Sequence, residues 1–161
     1  MNKMIISSSF SKEYLKKLLF EYASDIIDDT YLSNIIEDDD MTCVYHNMNS
    51  DFTTVDEISS FIFYKDTTEL IHIPQVTVIL LIVHPSLRSN GYGNLAMMEF
   101  FDYIKSSQLG LTQIVLHAMN EKNWKFYKNL GFRCIQPTKF LKEYEDFEEN
   151  DNSKRCYGIN V

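Results

Sequence analysis

The sequence predicts a single α/β (α+β) domain spanning residues 1–161. Three observations carry that expectation. The segment Gln75 to Val83 (QVTVILLIV) is apolar, rich in β-branched residues and too short to span a membrane, so it reads as a central strand buried on both faces. A glycine-containing turn follows it, and then a stretch with apolar residues at helical spacing. The hydrophobic fraction is 45%, with 11 Phe and 10 Tyr, which supplies a core and argues against disorder.

The remaining elements follow in chain order. Residues 3–7 form a short first strand. Ser9 or Ser11 caps a helix running to about Asp25, with Tyr14, Leu15, Leu18, Leu19 and Tyr22 as its apolar stripe. A second short helix covers Thr30 to Glu37, and Glu37 to Asp40 makes an acidic break. Thr42 to His46 and Ile58 to Lys65 read as strands, and Asn47 to Asp51 as a turn. Pro85 ends the apolar strand, since proline has no N–H for the ladder. Asn94 to Gln108 is a helix with Leu95, Met98, Phe101 and Ile104 as its apolar residues and Gly110 beyond its end. Gln113 to Met119 is a strand, Asn123 to Asn129 a short helix closed by Gly131, and 132–141 and 154–161 the last strands.

Charge and cysteine content narrow the class of function. The formal net charge is −8, which excludes the basic footprint of a phosphate-binding nucleic-acid protein. An acidic surface serves solubility and can also attract a cationic amine. Cys43, Cys134 and Cys156 form no C-x-x-C pair and are odd in number, which argues against a disulfide framework or a zinc site; no metal is expected. The N-terminus lacks the apolar run of a signal peptide, and no stretch approaches the ~20 apolar residues of a membrane span. The expectation is a cytoplasmic protein with neither a nucleic-acid nor a membrane partner.

Only 5 glycines occur, and two of them fall within three residues of each other, in Arg88-Ser89-Asn90-Gly91-Tyr92-Gly93. Glycine is entropically costly unless a position needs positive φ or close backbone approach. Backbone N–H groups at a helix N-terminus form an anion site, and glycines at 91 and 93 let that backbone approach a pyrophosphate. Arg88 can shape the turn or add charge. By itself the turn also fits a plain strand-to-helix connection. It lacks the G-K-[ST] of a Walker A loop and the third glycine of a dinucleotide fingerprint.

The second motif lies one helix and one strand downstream, in Asn120-Glu-Lys-Asn-Trp-Lys-Phe-Tyr127-Lys-Asn-Leu-Gly131-Phe132. RSNGYG and KFYKNLGF in this order resemble the R/Q-x-x-G-x-G/A and F-Y-x-x-x-G-F motifs of the GNAT superfamily of N-acetyltransferases. The resemblance covers residues 75 to about 135 closely and the N-terminal half by element order alone. It implies a mixed, mostly antiparallel sheet of six to seven strands flanked by about four helices, splayed between strands 4 and 5. It also implies acetyl-CoA as co-substrate.

The resemblance assigns roles residue by residue. Leu81, Ile82 and Val83 fall where the fourth strand splays from the fifth, so their backbone would hold the pantetheine arm and one N–H would polarise the thioester carbonyl. Arg88, Ser89, Asn90, Gly91, Tyr92, Gly93 and Asn94 would cradle the pyrophosphate. Asn123 and Phe126 would line the pantetheine side, and Tyr127 would give a proton to the departing thiolate. His117, on the fifth strand, is the candidate general base, because histidine titrates in the useful range; a water chain without a dedicated base is the alternative. His46, His72 and Glu69 are further candidates for the acceptor pocket.

Two acceptors compete. The run Glu121-Lys122-Asn123-Trp124-Lys125-Phe126-Tyr127 is similar to that of glucosamine-6-phosphate N-acetyltransferases, small enzymes that are usually dimers. The Glu-Asp pair usual on their fourth strand is absent here, where Thr77 is the one polar residue between Val76 and Val83. Leu116-His117 and Asn120-Glu121 resemble segments of protein N-terminal acetyltransferases, which makes a peptide N-terminus or a lysine the second acceptor. A domain that binds acyl-CoA without turnover is a third class.

Overall fold

The computed structural model of the chain describes residues 4–6, 11–47, 58–68, 74–107, 113–117, 121–134 and 156–160. They fall into two compact units, one made of 1–65 and 80–107 and the other of 66–79 and 108–161. Both draw on one strand, β4, whose residues 75–79 belong to the second unit and 80–83 to the first.

The first unit holds β1 (Met4–Ile6), α1 (Lys12–Ala23), α2 (Asp29–Glu37), β2 (Thr42–Asn47), β3 (Ile58–Asp66, its last residue in the other unit) and α3 (Tyr92–Ser107). The strand order is β1-β2-β3-β4, with antiparallel registers such as Ile5↔Tyr45 and Val44↔Ile62. Ser11 caps α1 by accepting the N–H of Tyr14 at 3.1 Å, which selects Ser11 over Ser9. Asp28 caps α2 by accepting the N–H of Thr30 at 2.8 Å, so that helix begins one residue earlier than the sequence suggests. Leu15, Leu18, Leu19, Tyr22 and Ala23 bury one face of α1, while Tyr14 stands outside the stripe at 38% exposure.

The apolar stripe of α3 differs from the expected one. Ala96, Met97, Phe100 and Ile104 are buried, whereas Leu95 is 38% and Met98 59% exposed. Residues 95–98, 100, 101 and 104 are all apolar, so two helical faces carry nearly equal hydrophobicity and periodicity does not choose between them. The sheet chooses: Tyr64 of β3 packs against Phe100 at 5.2 Å and Tyr103 at 6.4 Å between ring centroids.

The second unit orders its strands β4-β5-β7-β6, with β5 (Gln113–His117), β6 (Arg133–Cys134) and β7 (Cys156–Asn160), and carries α4 (Glu121–Asn129). β4 and β5 are parallel, and β7 runs antiparallel to β5 and to β6. The β4–β5 register runs from Gln75↔Gln113 to Val78↔Leu116. β4 continues to Val83, and the residues after His117, where the expected splay would show, lie outside the described residues. The expectation that β4 is buried on both faces holds for Gln75, Val76, Val78 and Ile82; Thr77, Ile79, Leu80, Leu81 and Val83 are partly exposed. Together these elements form the mixed sheet and four helices expected of an α/β chain. The parts of the last two strands at 135–141 and 154–155, and the acidic 143–151 segment, lie outside the described residues. Among the described residues, no helix is long and apolar enough to cross a membrane.

Candidate active site

The turn after β4 is built from proline and left-handed residues. His84 caps a short 3-10 helix (Pro85–Leu87) by accepting the N–H of Ser86 on Nδ1 at 3.1 Å. Ser89 then takes φ +64° and Gly91 φ +83°. The side-chain amide of Asn90 donates to the carbonyl of Arg88 at 3.1 Å and braces the turn. α3 opens with the N–H of Leu95 donating to the carbonyl of Gly91 at 3.1 Å. The N–H groups of Tyr92, Gly93 and Asn94 precede that first helical bond and have no acceptor within the helix. A Cβ placed on Gly91 would meet no atom within 4 Å. N–H groups without a helical acceptor at a helix start, beside a left-handed glycine, are the backbone features of an anion site.

Arg88 resolves the choice left open by the sequence. Its guanidinium faces the protein: Nη1 donates to the Asp25 carboxylate at 2.9 Å, Nη2 donates to the carbonyl of Tyr22, and Nε donates to the carbonyl of Val83 at 3.3 Å. The side chain shapes the turn, and its charge is directed to Asp25. Tyr22 and Asp25 had no local signal in the sequence, being 66 and 63 residues from Arg88.

Leu81, Ile82 and Val83 lie on β4 beyond its last described pairing with β5. Ile82 is buried and its two neighbours are partly exposed. Thr77, the one polar residue of that stretch, shares a hydrogen bond of 2.9 Å with Thr67, whose hydroxyl also accepts from Gln75 Nε2 at 2.9 Å. These polar groups are engaged in the β3–β4 connection.

In the second unit, His117 is the last residue of β5 and pairs with Cys156 of β7. Asn123 falls in the first turn of α4, which begins at Glu121 rather than at Asn123. Phe126 and Tyr127 follow on the same helix, their rings edge to face at 5.0 Å. Gly131, at φ +102°, ends α4: its N–H donates to the carbonyl of Lys128 at 3.0 Å and that of Phe132 to Tyr127 at 3.1 Å. This is a Schellman cap, with the Phe132 ring against Tyr127 at 5.7 Å. Burial pushes the Tyr127 hydroxyl up to about 12, so it stays protonated at neutral pH.

His46, a candidate for the acceptor pocket, is 1% exposed. It belongs to the interior, where Nδ1 lies 3.0 Å from the Ser59 hydroxyl. His72 and Glu69 lie outside the described residues. Among the described residues, no group of three or more His, Cys, Asp or Glu is placed to hold a metal ion.

A mixed α/β sheet flanked by helices is the architecture of the acyltransferase class that the family comparison identifies. The model of the acetyltransferase (GNAT) family matches residues 7–132, and the chain belongs to that family. It is an acyltransferase. No curated protein sequence matches it significantly. Among solved structures, Tetrahymena GCN5 is similar with a TM-score of 0.68 at 11% identity, covering 100% of this chain and 96% of that one. The IAA acetyltransferase from Bacillus cereus gives 0.63 at 11%, covering 100% of both chains. Arabidopsis thaliana NAA60 in complex with acetyl-CoA gives 0.59 at 17%, covering 100% of this chain and 98% of that one. At such identities the likeness shows the fold.

Proposed function

We propose that the whole chain is one acetyl-CoA-dependent N-acetyltransferase domain whose donor pyrophosphate sits on residues 88–94. One observation carries the reading: the N–H groups at the start of α3 that have no acceptor within the helix, beside a Gly91 whose Cβ position meets no described atom within 4 Å. The co-substrate supplies an activated acetyl thioester. Ser89 to Asn94 bind its phosphates through backbone N–H groups, with Arg88 holding the turn. We assign the backbone of Leu81, Ile82 and Val83 to orienting the pantetheine arm, and give Asn123 and Phe126 donor-binding roles by their place in the second motif. Tyr127 is the hydroxyl we assign to the departing sulfur. A phenol at about 12 is a weaker acid than a thiol of about 8.5. Tyr127 therefore acts by donating a hydrogen bond to the sulfur as the carbon–sulfur bond breaks and keeps its proton, and the CoA thiolate is protonated by solvent after it leaves. His117 is the base we assign to the attacking amine, through water where it does not reach directly.

For the acceptor we carry the amino-sugar phosphate first, on the Glu121–Tyr127 run. A peptide N-terminus is the second reading, favoured by the net charge of −8 and by the β4 polar groups already engaged in the hairpin. The amino-sugar reading brings a homodimer with it, which sedimentation tests.

The deciding experiment is a thiol-release assay with glucosamine 6-phosphate, glucosamine, polyamines and short N-terminal peptides side by side. Turnover of the sugar phosphate supports the first reading. Turnover of peptides alone replaces it with the second. Acetyl-CoA binding without turnover of any amine would overturn the enzymatic proposal.

A further inference from the structure

The first position of the Arg-x-x-Gly-x-Gly run joins three separate parts of the first unit. Val83 O, which accepts from Arg88 Nε, is at the end of β4, immediately before the turn. Tyr22 O lies in the last turn of α1. Asp25 lies just beyond the end of α1 and receives both Nη1 and Nη2, at 2.9 and 3.4 Å. A guanidinium has five N–H groups in a planar fork, suited to such a junction where a lysine ammonium is not. The cation also faces the negative end of the α1 dipole.

Tyr22 is itself firmly seated. Its hydroxyl donates to Ile58 O at 2.9 Å, and its ring meets Phe61 at 5.5 Å and His84 at 4.7 Å, both edge to face. The N–H of His84 donates to Ser59 O at 2.8 Å. The turn is thus attached to the sheet at its entry by His84 and to the end of α1 by Arg88. Asp25 completes the second attachment. The Arg88 hydrogen bond holds the Asp25 carboxyl below its usual range.

We infer that Asp25 is a positioning residue for the donor site: by pairing with Arg88 it sets the turn so that the N–H groups of residues 91–94 face the donor's phosphates. This rests on the donor-site reading given above. Arg88 then contributes shape to phosphate binding, and the end of α1 becomes part of the donor site without touching the donor. Asp25 is itself 61% exposed, so the pair is screened by solvent and its effect is modest.

The test compares two donors. Asp25→Ala, confirmed folded by its thermal melt, is assayed with acetyl-CoA and with S-acetylpantetheine, which has no pyrophosphate. The expected result is an acetyl-CoA KM and CoA Kd raised about threefold, the upper part of what an exposed ion pair contributes. The kcat and the use of S-acetylpantetheine stay unchanged, and Asp25→Glu restores the affinity. Equal losses with both donors would assign Asp25 a general structural role and overturn the inference, as would unchanged CoA affinity. Gly91→Val, measured in parallel, separates the two levels. If Gly91→Val weakens CoA binding and Asp25→Ala does not, the positioning role alone fails. If a folded Gly91→Val binds CoA as before, the donor-site reading itself fails.

Discussion

The carbonyl of Tyr127 accepts the N–H of Phe132 at 3.1 Å, and the two rings meet edge to face at 5.7 Å. The F-Y-x-x-x-G-F run is therefore a mechanical unit. Gly131 reverses the chain one turn after Tyr127, and Phe132 returns to brace the tyrosine from below the helix end. The glycine is required twice over, since its φ is +102° and a Cβ would stand 3.3 Å from Ile159 Cδ1. Gly131→Ala is expected to destabilise the protein by about 1–2 kcal/mol, from the left-handed conformation alone. A thermal or urea melt measures it, and a variant as stable as the parent would contradict the cap.

Tyr127→Phe keeps the ring contacts and removes the hydrogen-bond donor. The expected outcome is a kcat lowered about 10²-fold or more with CoA affinity unchanged. Equal kcat in parent and variant, in single-turnover measurements that exclude product release, would reject the role.

The high Tyr127 pKa makes a separate prediction about pH. Its folded value, about 12, lies above the ordinary 10.0, so the neutral phenol is the form the fold favours. The associated stability is present below pH 10 and lost as pH rises through 12. Tyr127 therefore produces no fall in kcat near neutral or mildly alkaline pH. An alkaline limb at about pH 9 that vanishes in Tyr127→Phe would show a tyrosine titrating far lower than this environment allows.

His46 gives the acid counterpart. The Ser59 hydroxyl donates to the carbonyl of His46 at 2.9 Å, so the 3.0 Å contact with Nδ1 must be an Nδ1–H donation to Ser59. Among the described residues, Nε2 is left as a buried lone pair with no partner. Burial lowers the His46 pKa below 6.5. Its contribution to stability is complete above pH 6.5 and declines as pH falls through the lower folded value. His46→Phe is expected to flatten the loss of stability as pH falls below 6.5. Chemical melts across that range check this, and an unaltered slope would assign the acid sensitivity to other groups.

Gly91→Val tests the donor turn directly. Valine resists φ +83°, and its side chain would enter the open space where no protein atom lies within 4 Å. CoA affinity is expected to fall about tenfold or more, roughly 1.4 kcal/mol, by calorimetry.

The elements built from neighbouring residues were legible in the sequence. β4 begins and ends at Gln75 and Val83 as its composition predicts, because a β-branched apolar run bounded by proline has one local solution. The Ser9/Ser11 pair, Gly91 and Gly131 announced a helix cap, a special turn and a helix end for the same reason: each acts through backbone atoms a few residues away. Family membership was legible too, since two motifs in order carry it.

Tertiary structure decided whatever depends on partners distant in sequence. The stripe Leu95, Met98, Phe101 and Ile104 gave way to Ala96, Met97, Phe100 and Ile104, because the sheet selected one of two comparable faces. His46 went to the interior, where Ser59 holds it. Arg88, readable from the sequence as either shape or charge, became shape once Asp25 and Tyr22 were brought to it from more than sixty residues away. A motif specifies which backbone can meet a phosphate; where a long charged side chain turns is settled by the acceptors the fold places around it.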